Sequence, residues 1–343
     1  MPDSTSVGPG RRNLSLDQYE TGVRNCDAVV LARALTLVES ENSSHRELAE
    51  QLLTRLLPYT GTSIRVGITG SPGVGKSTFI EALGLFLTDN GHRVAVLAVD
   101  PSSGISGGSI LGDKTRMHEL ATRPNAFIRP APSAGTLGGV ACRTRESLLV
   151  CEAAGYDIVL VETVGVGQSE TMVADMTDCF LALMQPGAGD ELQGIKRGLL
   201  EIVDVVAVNK ADGEGRLAAE KAAHQYDMAL RATSPRSARG NPPQVFLCSA
   251  LQQEGVEQIW QAIEQDHQLQ QNQGTLVEKR GKQNLRWLWE LVEQRVRVAI
   301  TKHAKVDEIR DALEAGVVAG AIPPETAARQ ILAALGLSED GNR

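Results

Sequence analysis

The stretch Gly70-Ser71-Pro72-Gly73-Val74-Gly75-Lys76-Ser77-Thr78 decides the fold of this chain, because it fits the pattern G-x-x-x-x-G-K-[ST]. Residues 64–69 before it (IRVGIT) are typical of a short buried strand, and residues 78–87 after it carry apolar side chains at helical spacing. Strand, glycine-rich loop and helix are the context that a phosphate-binding loop requires. The sequence therefore predicts that backbone N–H groups of this loop hold a polyphosphate, with Lys76 at the outer phosphates and Ser77 on Mg²⁺.

A second motif selects the base. Asn209-Lys210-Ala211-Asp212 follows the apolar run 205–208 and matches the N-K-x-D signature of GTPases. A carboxylate at Asp212 can accept from both N–H donors on the guanine edge, a pair that adenine lacks. Further along, Ser249-Ala250-Leu251 follows another apolar run and matches the loop that closes over guanine. In this order after a phosphate loop, the motifs predict GTP and GDP as ligands.

Two acidic residues follow predicted strands that lie between these motifs. Asp100 ends the run VAVLAV (residues 94–99), and Glu162 ends the run IVLV (residues 158–161). Carboxyl ends of parallel strands face the ligand crevice, where carboxylates can hold Mg²⁺ directly or through its waters. Glu162 begins E-T-V-G, where GTPases usually carry D-x-x-G. We predict Lys76, Asp100 and Glu162 as catalytic residues.

Six segments together carry a family resemblance: GSPGVGKST, VDPSS, GDKTRM, VETVGVGQSE, GDELQGIK and NKAD occur in that order. The chain resembles the MeaB/ArgK family of GTPases, to which the methylmalonic aciduria type A protein belongs, from about Leu31 to the C-terminus. The resemblance implies a SIMIBI-class P-loop GTPase that acts as a chaperone for an adenosylcobalamin-dependent acyl-CoA mutase, usually methylmalonyl-CoA mutase. It also implies that GTP hydrolysis gates cofactor delivery, and that a C-terminal arm forms a homodimer.

The resemblance also implies roles for further residues. Asp113 joins Asp100 around the metal and the first switch, so that the implied metal set is Ser77, Asp100, Asp113 and Glu162. Residues 185–196 match the third switch, with Gln185, Asp190, Glu191 and Lys196 as its coupling residues. Gln168 and Arg116 are candidates for completing hydrolysis. The cobalamin-ligating signature D-x-H-x-x-G is absent from the sequence, so we expect the client to hold cobalamin and this chain not to bind it tightly.

The composition of the chain indicates which kinds of partner it is not expected to bind. The 343 residues carry a formal net charge of −8, which disfavours non-specific nucleic-acid binding. No apolar run approaches the roughly 20 residues that span a bilayer, so we expect no membrane association. The first residues are polar and lack the features of a targeting signal, which predicts a cytoplasmic protein. Five cysteines are spread singly, as is typical of free thiols.

The pattern along the chain predicts four parts. Residues 1–12 are expected to be disordered, residues 13–60 to form a helical extension, and residues 61–267 to form the P-loop GTPase domain, an α/β fold with a doubly wound, mostly parallel sheet. The Gln-rich residues 268–273 are interpreted as a mobile joint. Residues 268–343 are predicted to form a helical dimerisation arm, whose apolar stripes could alternatively pack back onto the GTPase domain.

Two other functions fit part of the pattern. One is a kinase or ATPase linked to amino-acid transport, a description attached to ArgK-like sequences, against which the N-K-x-D motif argues. The other is a GTPase metallochaperone for nickel or cobalt. The sequence lacks the His-rich tract or C-x-C-C site that such chaperones tend to carry.

Overall fold

A seven-stranded parallel sheet is the centre of the fold. The computed structural model describes residues 14–40, 42–99, 117–130, 137–163, 169–186, 197–233 and 243–337. The strands are β1 (Ile64–Gly70), β2 (Val94–Val99), β3 (Ala126–Arg129), β4 (Ile158–Thr163), β5 (Cys179–Met184), β6 (Val205–Val208) and β7 (Gln244–Leu247). Their order is β3-β2-β4-β1-β5-β6-β7, and every neighbouring pair is parallel. The α/β fold predicted from the sequence is confirmed.

Helices cover both faces of the sheet, which is why its central strands are continuous apolar runs. In β4, Val159 and Val161 face one core while Leu160 faces the other. The helices of these two cores are α1 (Leu16–Arg24), α2 (Ala28–Val38), α3 (Ser43–Leu56), α4 (Lys76–Asp89), α5 (Leu137–Ala153), α6 (Ser169–Ala174), α7 (Arg197–Ile202), α8 (Arg216–Thr233) and α9 (Val256–Gln273). Helices α4 and α9 pack on one face, and the other seven contribute to the core on the opposite face. Among the described residues, no helix is long and apolar enough to cross a membrane.

The N-terminal helices belong to the main core. Leu31, Leu35, Leu52 and Leu56 are fully buried and join the cluster that contains β2, β4 and β5 side chains. Local caps define where these helices begin: Ser15 forms a capping box with Gln18 at α1, and the Asp27 carboxylate accepts from two backbone N–H groups at α2. The predicted extension is therefore helical and is built into the sheet's hydrophobic core.

The end of α9 differs from the sequence-based expectation. Residues 268–273, interpreted as a mobile joint, are the last turns of α9, which ends at Gly274 in the left-handed region (φ 75°). Helix α10 (Thr275–Thr301) begins at once. The chain divides into two compact units, residues 1–281 and 282–343, so the division falls within α10 and later than the predicted boundary at residue 268.

A buried ionic cluster explains why the first turns of α10 belong to the first unit. Arg280 donates to both carboxylate oxygens of Asp178 (2.8 and 2.7 Å), which precedes β5, and to the backbone oxygens of Gly61 and Ser63. Asp178 also accepts from the backbone N–H of Arg65 at 2.8 Å. Because Asp178 is 1% exposed, its charge is satisfied almost entirely by these contacts.

In the second unit, the described residues up to 337 form helices and short connections. This unit contains the rest of α10, then α11 (Ala304–Val318) and α12 (Pro324–Ala334), which pack together around Val306, Leu313 and Ala327. A cluster of large apolar side chains on α10 is exposed to solvent, namely Leu285, Leu288, Trp289, Val292 and Val296. These residues recur mainly three and four positions apart, so they form a continuous stripe along the helix.

Candidate functional site

The carboxyl edge of the sheet gathers the residues that the motifs single out. Because every strand is parallel, the segments that follow β1, β4, β5, β6 and β7 emerge at the same edge. The loop of residues 70–76 follows β1, Glu162 lies at the end of β4, Gln185 follows β5, Asn209 follows β6 and Ser249 follows β7. Distant parts of the chain thus meet at one crevice.

Glycines allow the loop after β1 to turn closely against its neighbours. A Cβ on Gly70 would lie 2.5 Å from the backbone oxygen of Leu183, and one on Gly75 would lie 2.7 Å from the side-chain nitrogen of Asn209. Gly75 also has φ 98°, a conformation that L side chains rarely adopt. It is the N-cap of α4 and has no side chain to cap the helix, which leaves the first backbone N–H groups of α4 available to an anion.

Lys76 lies over this loop. Its Nζ donates to the backbone oxygen of Gly70 at 2.7 Å and to that of Ser71 at 3.3 Å. Burial lowers the pKa of Lys76, while the nearby carboxylates of Glu162 and Glu170 act in the opposite direction. The ammonium group is thus held by neutral backbone acceptors. A phosphate oxygen, which is charged, would be a stronger partner for it.

Two oxygen ligands suited to Mg²⁺ lie beside Lys76. The Ser77 hydroxyl donates to Glu162 Oε1 at 3.4 Å, and Glu162 is only 4% exposed. Hydroxyl and carboxylate oxygens are the hard donors that Mg²⁺ prefers, and this ion usually keeps several waters in addition. A buried carboxylate facing a serine hydroxyl therefore fits the ion that phosphate-binding loops use.

Asn209 and Lys210 connect the base motif to the phosphate loop. The Asn209 amide donates to the backbone oxygen of Val74 at 2.9 Å and accepts from the backbone N–H of Ala250 at 2.9 Å. Lys210 Nζ donates to the backbone oxygen of Gly73 at 2.8 Å. These bonds join the segments after β1, β6 and β7 into a fixed frame, and a ligand that spans the three segments would bind to this frame.

Asp212 lies at the outer end of this frame. The Ser249 hydroxyl donates to its carboxylate, and Ser249 in turn accepts from the backbone N–H of Gln252 at 3.1 Å. The backbone N–H of Ala211 donates to the oxygen of Cys248 at 3.0 Å. Leu251 is 78% exposed at this position. A carboxylate oriented by a serine and flanked by an exposed apolar side chain suits a planar, N–H-donating base.

Several residues predicted for the site lie outside the described residues. These are Asp100, Asp113, Arg116, Gln168, Asp190, Glu191 and Lys196. The N-terminal segment 1–12, predicted to be disordered, also lies outside them. The assignments of Asp100 to catalysis and to the metal, of Asp113 to the metal, and of Lys196 to coupling therefore stay predictions.

Comparison with known proteins identifies the family. The model of the "Methylmalonyl Co-A mutase-associated GTPase MeaB" family matches residues 31–305. The chain belongs to the MeaB family of GTPases. A probable GTPase of Mycobacterium tuberculosis is 51% identical over 95% of this chain and 96% of its own length. The mitochondrial methylmalonic aciduria type A homolog of mouse is 44% identical over 97% of this chain and 83% of its own. A crystal structure of an "LAO/AO transport system kinase" shares 38% identity, covers 95% of this chain and all of its own, and superimposes with a TM-score of 0.75.

Membership in the MeaB family identifies the reaction that takes place at this site. The protein is a GTPase, so it binds guanine nucleotide and transfers the terminal phosphoryl group to water. Such transfer depends mainly on positioning and on stabilising charge at the phosphate oxygens. A lysine over a glycine-rich loop, with backbone N–H groups at a helix start, is an arrangement that can do both.

Two features of this MeaB-family site were missed by the sequence-based interpretation. Glu170, in the first turn of α6, is 6% exposed and affects the pKa of Lys76. Its sequence signal was its place as the last residue of the segment VETVGVGQSE, but no role was predicted for it. The second feature is a contact between Lys210 and Gln185. No sequence pattern links these residues, because they belong to separate segments that meet only in the folded chain.

Proposed function

We propose that this GTPase is a chaperone for an adenosylcobalamin-dependent acyl-CoA mutase, methylmalonyl-CoA mutase or a close relative. GTP binding and hydrolysis would gate the loading of the cofactor onto the mutase and protect it. The observation that carries the proposal is the match of residues 31–305 to a family described as associated with methylmalonyl-CoA mutase. The name of the mouse relative, which refers to methylmalonic aciduria, supports the same client.

In this proposal, residues 70–78 hold the phosphates of GTP. Asn209, Lys210 and Asp212 recognise guanine, with Ser249, Ala250 and Leu251 closing over it. Lys76, Asp100 and Glu162 serve hydrolysis, and Gln185, Asp190, Glu191 and Lys196 couple the site to the client. The contact between Ser77 and Glu162 at 3.4 Å supports a Mg²⁺ site that Asp100 and Asp113 would complete. When bound, the ion would offset negative charge on the β- and γ-phosphates.

We also propose that the protein acts as a homodimer through its C-terminal arm. The apolar stripe on α10, from Leu285 to Val296, supports this, because exposed stripes of this kind mark protein interfaces. The mutase, rather than this chain, would carry cobalamin. Size-exclusion chromatography with light scattering would test the dimer, and Leu288→Glu together with Val292→Glu should yield monomers. A wild type that is monomeric at all concentrations would contradict it.

The experiment for the chaperone role combines hydrolysis and loading. GTP and ATP hydrolysis are measured with Mg²⁺, with and without each purified candidate mutase, and the metal content of the protein is measured alongside. We expect slow basal hydrolysis of GTP, faster hydrolysis with the client, and little hydrolysis of ATP. Transfer of adenosylcobalamin to the apo-mutase is then followed by mutase activity with GTP, GDP or a non-hydrolysable analogue.

A matched pair of lysine variants separates coupling from general damage. Lys196→Ala should keep basal GTP hydrolysis but lose stimulation by the mutase, while Lys221→Ala, on the exposed side of α8, should behave as wild type. Equal hydrolysis rates with and without every mutase, and loading that ignores the nucleotide, would refute the chaperone role.

One alternative has a specific observation in its favour. The solved structure at 38% identity is described as a transport system kinase, so a kinase linked to amino-acid transport is the second candidate. It predicts transfer of phosphate from ATP to an acceptor protein. Release of inorganic phosphate from GTP with no labelled acceptor would favour the chaperone over the kinase.

A further inference from the structure

The Lys210 side chain joins two segments that the GTPase motifs treat separately. Its Nζ donates to the backbone oxygen of Gly73 in the phosphate loop at 2.8 Å and contacts Gln185 Oε1 at 3.4 Å. Gln185 is the first residue after β5 and is half-buried. One ammonium group therefore holds the phosphate loop on one side and the segment that follows β5 on the other.

The backbone at both ends of this contact is constrained. Lys210 has φ 61°, in the left-handed region that non-glycine residues rarely occupy, and such a conformation persists only where its surroundings enforce it. Gln185 precedes Pro186, whose ring restricts the preceding residue to extended conformations. In addition, the backbone N–H of Asn209 donates to the oxygen of Met184 at 2.8 Å. The end of β5 and the base motif are thus fixed against each other.

We propose that Gln185 is a positioning residue that controls how fast bound guanine nucleotide leaves. By accepting from Lys210, Gln185 holds the ammonium over Gly73 and keeps the base motif closed on the phosphate loop. The inference rests on the guanine site proposed above and requires no assumption about a partner protein.

The test measures the release of a fluorescent GDP analogue after mixing with excess GDP. Gln185→Leu keeps the approximate size of the side chain but removes the acceptor, and should release GDP about two- to fivefold faster. Gln185→Glu replaces a neutral acceptor with a charged one and should slow release by about twofold or more. Gln225→Leu, at an exposed glutamine on α8, is the matched control and should leave the rate unchanged.

A second background tests whether the effect passes through Lys210. In Lys210→Met, nucleotide release should be faster overall, and adding Gln185→Leu should change it little, because the donor is already gone. The thermal unfolding midpoint of Gln185→Leu should equal that of the wild type, since the contact lies at the surface of the site. A structural defect would instead shift this midpoint.

If the wild type retains fluorescent GDP and both Gln185 variants release it at the wild-type rate, the proposed role of Gln185 is wrong but the guanine site is not affected. A Gln185→Leu effect that persists at full size in Lys210→Met would also overturn this role. If the wild type retains no fluorescent GDP, the guanine site itself fails and this role falls with it.

Discussion

Replacing Arg280 with methionine should destabilise the first unit of the chain severely. Methionine keeps an unbranched apolar stem but removes every donor. Arg280 donates to both oxygens of Asp178 and to the backbone oxygens of Gly61 and Ser63, and its side chain is 12% exposed. The substitution therefore leaves the Asp178 carboxylate buried without its main counter-charge.

The expected magnitude follows from that burial. Removing one partner of a buried ion pair costs about 3–5 kcal/mol, because the remaining charge is uncompensated. For a folding unit of this size, about 2 °C of midpoint is lost per kcal/mol, so Arg280→Met should lower the unfolding midpoint by roughly 6–10 °C. Arg231 and Asp227 provide the matched control: their atoms are also 2.8 Å apart, but Arg231 is 73% exposed. Arg231→Met should cost only about 0.3–0.5 kcal/mol.

The assay is thermal unfolding followed by circular dichroism, without nucleotide and at one protein concentration for all variants. Burial alone would raise the pKa of Asp178, but the hydrogen bond and charge of Arg280, with the help of Arg65, outweigh it and leave this pKa below its ordinary value of 3.8. A carboxyl group with a lowered pKa stabilises the fold above its unfolded pKa and loses that contribution as the pH falls through its folded pKa. Without Arg280, burial raises the pKa of Asp178 relative to the wild type, so the carboxyl of the variant takes up a proton at a higher pH and part of the cost is relieved. The difference between wild type and Arg280→Met should therefore be largest near pH 7 and shrink as the pH falls through the raised pKa of the variant. A midpoint for Arg280→Met that matches Arg231→Met would refute this account of the cluster.

Two further predictions concern specificity and pH. Asp212→Asn should weaken GTP binding by about 10- to 100-fold, the loss of one charge-assisted hydrogen bond, and improve binding of xanthosine triphosphate, whose base carries an acceptor where guanine carries an amino group; calorimetry with both nucleotides measures this, and unchanged GTP affinity would contradict it. Burial lowers the pKa of His267 from 6.5, while Asp178, 4.0 Å away, opposes the shift. Because the unfolded chain then binds the proton more readily, wild-type stability should fall as the pH drops below 6.5, whereas His267→Gln should show a flatter dependence in urea titrations. Parallel pH curves for the two proteins would exclude His267 as the cause.

The parts of the fold that could be predicted are those whose signal is local. The phosphate loop requires glycines at fixed spacing, because Gly70 and Gly75 lie against other backbone and side-chain atoms where a Cβ does not fit. The strands were recognisable because burial on both faces demands continuous apolar runs, as in residues 94–99 and 205–208. Such constraints determine the residue types of a short segment, so they can be recognised in the sequence of that segment alone.

The remaining features depend on contacts between distant residues. Residues 268–273 looked like a joint by composition, yet glutamine favours helices and the segment simply continues α9. Nothing near Arg280 indicates that it binds Asp178, which lies far away in the chain. The same holds for Lys210 and Gln185, whose contact exists only because β5 and β6 are neighbours in the sheet.

The three N-terminal helices limit how this protein can be shortened. Leu31, Leu35, Leu52 and Leu56 lie at zero exposure against the main core, and each buried leucine contributes about 1.5–3 kcal/mol. A polypeptide starting at the first strand would retain every nucleotide motif and still expose part of the hydrophobic core on one face of its sheet to water. Engineers who seek a minimal nucleotide-hydrolysing fragment of this protein must therefore retain a segment that contains none of the recognised motifs.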